Sequence, residues 1–285
     1  MNQKQDMNLD RFSEFSEFFS SSKKNLNKSR PETIISLNGV DTVYEGEKTP
    51  ALFNVNLKIN RGEYVLIIGP NGSGKTTLLE TILGLLKVKT GTIKVFNTPL
   101  KKARVEIRRK IGYVIQNFEM DPNQPFIVKD IVMIGRVAFR GSGRPPKAQD
   151  WFAVKESLKL VGMEELMNRP IGKLSGGQQQ KTLIAQALCK HPEILLLDEP
   201  FANLDLDTQE EMMNLLAFLK SMGVTILMVS HGIKIPPEVN RIVMINHGEI
   251  VINDSVVNAC SNPLFEKYLV MEQAIKNWDF LKNGG

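Results

Sequence analysis

The chain has 285 residues, with 42% hydrophobic and 24% charged residues, the make-up of an ordinary globular protein, which excludes a fibrous or wholly disordered one. Its apolar runs, at 65–68, 194–197 and 224–229, are strand-sized, and none nears the roughly 18 residues of a membrane span. The net charge of +5 comes without a basic stripe interleaved with aromatics, so nucleic acid is not an expected partner.

The first ten residues are polar and mixed in charge, unlike an export signal, and predict a chain that stays in the cytoplasm. Residues 1–33 are rich in Ser, Asn and Lys and read as a polar tail. Within it Phe12, Phe15, Phe18 and Phe19 recur at near-helical spacing. The flanking composition predicts a mobile tail, with docking of the stripe as the alternative. From Ile34 apolar alternation predicts short strands at 34–37, 52–59 and 64–68, then a helix from Lys75 to about Leu86. Strands are expected at 91–96 and 112–115, and a helical insertion over about 117–174. Lys101, Lys102, Arg104, Arg108, Arg109 and Lys110 read as a solvated helical face. Beyond them a helix at about 175–189, a strand at 194–198, a helix at 207–221 and a strand at 224–229 form a succession typical of a parallel sheet. At the end, Leu264, Tyr268, Met271, Ile275 and Trp278 repeat at spacings of four and three, predicting a helix over about 263–282 with that seam covered. Cys189 and Cys260 lack any CxxC spacing and suggest neither disulfide nor zinc site.

Three segments carry chemistry. Gly69-Pro70-Asn71-Gly72-Ser73-Gly74-Lys75-Thr76, followed by Thr77, lies between a predicted strand and a predicted helix. That is the context of a phosphate-binding loop, in which glycines let successive N–H groups point into one concavity at a helix N-terminus. Lys75 is expected on the β- and γ-phosphates of ATP, and the Thr76 hydroxyl on Mg²⁺. Asp198 and Glu199 end an apolar strand, where ligands of parallel sheets collect. Asp198 is placed to hold Mg²⁺ through water, and Glu199 to orient the attacking water. Ser175-Gly176-Gly177-Gln178 opens a helix and makes a second anion site.

With the third segment between the other two, the chain resembles the ATP-binding cassette (ABC) family over about 34–252. The resemblance implies an α/β P-loop NTPase core with a parallel sheet, an antiparallel β subdomain and a helical insertion, within a domain over 34–258 followed by a helical extension. It also implies roles that local pattern does not supply: Tyr44 stacking on adenine, Gln116 sensing Mg²⁺ at the root of the insertion, Asp205 in the loop that crosses to an opposing subunit, and His231 on the γ-phosphate. His191 and His247 receive no role.

With one P-loop and one signature in the chain, the resemblance implies a homodimer, or a heterodimer with a related chain, the signature of one facing the P-loop of the other. The implied partners are a membrane permease in a separate chain and a cargo-capturing protein, with the ATPase peripheral on the inner face of the membrane. Three positions depart from the commonest pattern: Lys181 where arginine is frequent, Asn203 where glycine is, and Gly232 where an acid is. Asp121, Pro125-Phe126, Val128, Asp130, Gly135-Arg136 and Glu199-Pro200-Phe201-Ala202 look similar to the zinc and manganese uptake branch. Iron-chelate import, another small cargo, and a non-transport ATPase are the alternatives.

Overall fold

The computed structural model describes residues 12, 15–16, 33–116, 125–140, 143–202, 204–230 and 235–272. In chain order the elements are β1 (Thr33–Val43), β2 (Leu52–Asn60), β3 (Tyr64–Ile68), α1 (Lys75–Leu83), β4 (Lys87–Val95), β5 (Thr98–Pro99), α2 (Arg104–Arg109), β6 (Ile111–Val114), α3 (Val128–Ile134), α4 (Val137–Arg140), α5 (Ala148–Leu160), α6 (Gly176–Leu188), β7 (Ile194–Asp198), α7 (Leu206–Ser221), β8 (Thr225–Val229), β9 (Arg241–Asn246), β10 (Glu249–Ser255), α8 (Val256–Cys260) and α9 (263–272). They form two compact units, a β-rich one of Thr33–Ala103 and Ile226–Gly285 and a helical one of Met1–Glu32 and Arg104–Thr225.

In the β-rich unit, β2, β1, β4 and β5 make an antiparallel sheet in that order. Ile35, Leu37 and Val40 of β1 are buried, as are Val55, Leu57 and Ile59 of β2, while residues between them on β2 are exposed. That alternation is what one buried sheet face requires. β3 is different: all five residues are buried, and it lies parallel to both β8 and β9. A strand covered on both faces reads as a continuous apolar run, which is why Tyr64–Ile68 shows no alternation. Tyr64 takes its apolar body into this core and donates its hydroxyl to Met228 Sδ at 3.3 Å, while burial raises its pKa. β10 pairs antiparallel with β9 at the edge; this pair has no counterpart in the sequence reading.

Helix α1 is shorter than predicted because Gly84 adopts a left-handed backbone, φ 66°, and its N–H returns to Thr81 O at 3.0 Å. A glycine in that conformation ends a helix at no steric cost. The C-terminal helix is present over 263–272, but its seam is rotated. Phe265, Tyr268 and Glu272 are buried, whereas Leu264 is 49% and Met271 40% exposed. The spacing rule selected one of two overlapping apolar stripes, and packing on the β-rich unit uses the other. Ile275 and Trp278 lie outside the described residues.

In the helical unit β6 and β7 pair in parallel, Ile111 opposite Ile194 and Val114 opposite Leu197. Helix α3 packs on α6, and α5 packs on both. The insertion is closed at its base by Ile171 N–H to Phe126 O at 3.0 Å and by an isolated bridge between Ile127 and Pro170. Residues 117–124 lie outside the described set.

Two of the four N-terminal phenylalanines are engaged with this unit. Phe12 stacks on Phe218 with ring centroids 4.5 Å apart, and Phe15 meets Phe218 and His191 edge-on at 6.5 and 6.4 Å. Phe15 is only 1% exposed, so this part of the tail docks; Phe18 and Phe19 lie outside the described residues. Phe15→Ala is expected to destabilise by about 3 kcal/mol, a fall of roughly 6–12 °C in melting temperature. Scanning calorimetry checks this, and unchanged melting in both Phe15→Ala and a chain lacking residues 1–30 would show that the contact adds no stability.

Candidate functional site

The loop after β3 curls because its glycines occupy conformations closed to other residues. Gly69 has φ 146°, and a Cβ there would come within 2.0 Å of Ile245 O and 2.8 Å of Ser73 Oγ. Gly74, at φ 106°, forms the N-terminal cap of α1, and its Cβ would lie 2.9 Å from Leu52 Cδ2. Gly72 is also left-handed, at φ 72°. The turn after β9 anchors the loop from behind: Gly248 N–H donates to Ser73 O at 2.9 Å. Lys75 is buried and its ammonium donates to Gly69 O at 2.8 Å and to Pro70 O at 2.9 Å. The loop therefore wraps the lysine head and opens at the N-terminus of α1, where helix amides and dipole favour an anion. Pro70 and Asn71 lie in the loop, and Thr76 in the first turn of α1.

Tyr44 sits just beyond β1, half-buried, with its hydroxyl 3.0 Å from Thr77 Oγ1 and donating to Glu80 Oε2 at 3.2 Å. Burial, followed by the nearby carboxylates, raises the phenol's pKa against the pull of Thr77. The structure thus ties Tyr44 to α1 and occupies the Thr77 hydroxyl, a pairing across 33 residues that no local pattern announces.

The helical unit carries the other segments. Ser175 caps α6, its Oγ accepting from Gln178 N–H at 3.3 Å, while Ser175 N–H donates to Gln178 Oε1 at 3.1 Å. This reciprocal box satisfies two helix-end donors. Gly176 is open, with nothing within 4 Å of a Cβ placed there, and a Cβ on Gly177 would lie 3.4 Å from Leu204. Asp198 ends β7 and is 1% exposed. The next residue, Glu199, is half-buried with φ 49°, a left-handed backbone that costs a non-glycine residue energy and tends to mark functional positions. Asp205 caps α7, accepting from Thr208 N–H at 2.8 Å and from the Thr208 hydroxyl at 2.9 Å. These bonds hold its carboxyl below the ordinary 3.8, so the cap is complete above that value and is lost as pH falls through the lowered pKa. Lys181 meets Glu211 Oε2 at 2.6 Å, joining α6 to α7 through a single carboxylate oxygen. Gln116 is exposed two residues beyond the end of β6. His231 and Asn203 lie outside the described residues.

Sequence reasoning missed the supports: Ile245 and Gly248 behind the loop, Glu80 beneath Tyr44, and Glu211 opposite Lys181. Each is distant in sequence from what it supports, so only topology brings them together.

Residues 52–202 match the family model described as ABC transporter. The manganese transport system ATP-binding protein MntB of Bacillus subtilis is 40% identical, over 70% of this chain and 78% of its own length. The zinc transport system ATP-binding protein TroB of Treponema pallidum is 35% identical, over 74% and 77%. Among solved structures, a dimeric post-hydrolysis state of the ATP-binding cassette MJ0796 bound to ADP and Pi superposes with a TM-score of 0.69 at 34% identity, covering 78% of this chain and 98% of that one. With the glycine-rich loop at the head of α1, the capped Ser175–Gln178 turn and the strand-end acids in the family's order, the chain belongs to the ABC transporter family.

Proposed function

We propose that this chain is the ATP-hydrolysing subunit of a metal-ion importer, working with a membrane permease, a second copy of itself and a cargo-capturing protein. The observation that carries the reading is the loop around Lys75, where Gly69 admits no Cβ and the ammonium is held on Gly69 O and Pro70 O. Such a cradle suits the β- and γ-phosphates of ATP. Relatives named for manganese and zinc transport support the cargo class. Among the described residues no helix is long and apolar enough to cross a membrane, and the proposed place of work is the inner membrane face, through the permease.

Each residue has a part. Residues 69–77 bind the phosphates, and Tyr44 supports the adenine. Glu199 accepts a proton from water and orients it in line with the γ-phosphorus, while His231 holds the γ-phosphate. Ser175, Gly176, Gly177 and Gln178 present a capped helix N-terminus to the γ-phosphate of ATP on the other copy, and Asp205 lies in the crossing loop. The hydroxyl of Thr76, the amide oxygen of Gln116 and the buried carboxylate of Asp198 are hard oxygen donors, the kind Mg²⁺ takes. They would hold that ion, which would supply charge neutralisation for the phosphates. ATP closes the two copies and hydrolysis reopens them, shifting the permease between two shapes.

A strain lacking this chain is expected to lose uptake of radioactive manganese or zinc, restored by the wild-type chain and not by Glu199→Gln. Full uptake in the deletion strain, for both metals, would overturn the cargo assignment.

A further inference from the structure

Behind the exposed end of α6, its other end is fixed by a side-chain cluster that none of the roles above uses. Arg136 follows α3 and is largely buried; its side chain is 16% exposed and that of Asp150 6%. Its Nε donates to Asp150 Oδ1 at 3.0 Å and its Nη1 to Cys189 O at 3.0 Å. Cys189 caps the C-terminus of α6, where backbone carbonyls lack intrahelical donors and the dipole favours a cation. The other carboxylate oxygen, Asp150 Oδ2, accepts Lys147 N–H at 3.0 Å and so caps α5. One guanidinium–carboxylate pair therefore joins the C-terminus of α3, the N-terminus of α5 and the C-terminus of α6.

The junction is close-fitting. A Cβ on Gly135 would stand 2.3 Å from Gln186 O and 2.5 Å from Cys189 Sγ. The Cys189 thiol donates to Val132 O at 3.2 Å and Gln186 O at 3.1 Å, and burial pushes its pKa up to about 12, so it stays a neutral donor. On the outer side the guanidinium lies 4.8 Å from the centroid of the Phe139 ring, whose side chain is exposed. The pair thus lies one side chain from the surface of the insertion while gripping the rear of the helix that presents Ser175–Gln178.

We propose that Arg136 is a positioning residue for the signature helix: its fork between Asp150 and the Cys189 carbonyl sets where α6 sits against α3 and α5, and so where Ser175–Gln178 stand for the ATP of the opposing copy. This rests on the ATPase reading above. A lysine keeps the charge but replaces the planar fork with a point donor and cannot hold both partners in the same geometry. Asp150→Asn keeps an acceptor for Lys147 N–H while removing the charge that fixes the guanidinium.

The test uses full-length Arg136→Lys, Asp150→Asn and the double variant, alone and combined with Glu199→Gln. Because the P-loop belongs to the other unit, binding of a fluorescent ATP analogue and KM should stay within about twofold, while kcat falls roughly tenfold to a hundredfold, the scale of an ångström-sized misplacement. The Glu199→Gln background should show a matching loss of ATP-driven dimer in sedimentation, and the double variant should be no worse than the more impaired single one. Variants with lowered melting temperature but wild-type kcat and dimer per folded chain would overturn the proposal and leave a structural role. A parent chain that neither hydrolyses ATP nor dimerises with it would overturn the ATPase reading, and the proposal with it.

Discussion

Glu199→Gln is expected to bind MgATP like the wild type, hydrolyse it roughly 10²–10⁴-fold more slowly, the usual contribution of a positioned general base, and accumulate as an ATP-bound dimer. The substitution removes the proton acceptor and keeps the shape. Glutamine tolerates the backbone at φ 49° no worse than glutamate does, so folding should be unaffected. Single-turnover phosphate release and sedimentation with ATP read the two halves of the expectation. Wild-type turnover in the purified variant would remove Glu199 from the mechanism. Glu199→Gly is a useful contrast, relieving a left-handed strain of about 1 kcal/mol while also losing the base, so a more stable and inactive protein is the expected result.

The second large effect is on binding. Lys75→Ala should weaken MgATP affinity by at least about a hundredfold, since roughly 3 kcal/mol is the scale of a charge-assisted hydrogen bond to phosphate. The loss has two sources: the charge that meets the phosphates, and the two bonds to Gly69 O and Pro70 O that hold the loop curled. Calorimetric titration measures their combined effect on affinity. Thermal shift offers an independent reading, because a ligand that binds only the folded chain raises its melting temperature; the wild type should shift with ATP and Lys75→Ala should not. A variant that still shifts fully would mean that the loop amides alone carry the affinity.

What could be read from the sequence was what is encoded locally. Residues 69–76 specify a loop by glycine spacing and a flanking strand, Ser175-Gly176-Gly177 marks a helix start, and Asp198–Glu199 end a strand-sized apolar run. The parallel β-α-β succession followed from the same local rules, whereas the full fold class came from the family resemblance. What stayed hidden depends on partners far along the chain. The β9–β10 pair went unread although its strands, at six and seven residues, are longer than β3; its place is set by β9 lying against β3 and β10 folding back on β9. The stripe buried by α9 was chosen by the surface it meets, since Leu264–Met271 and Phe265–Tyr268 spacings are both helical. Phe12 and Phe15 lie in a polar tail, and contacts with Phe218 and His191, some 200 residues on in the case of Phe218, engage them, Phe15 as a core residue.

The reciprocal bonds of Ser175 and Gln178 have a thermodynamic corollary for assembly. Side chains that meet a partner normally lose rotamer freedom on contact, at about 0.5–1.5 kcal/mol each. Here that freedom is already gone in the lone chain, because each of the two side chains is bonded to the other's backbone amide. The cost falls on folding instead, so in the proposed dimer the encounter of two chains begins from a pre-organised end, with Gly176 bare beside it. On that reading the affinity between copies responds to what the nucleotide itself contributes.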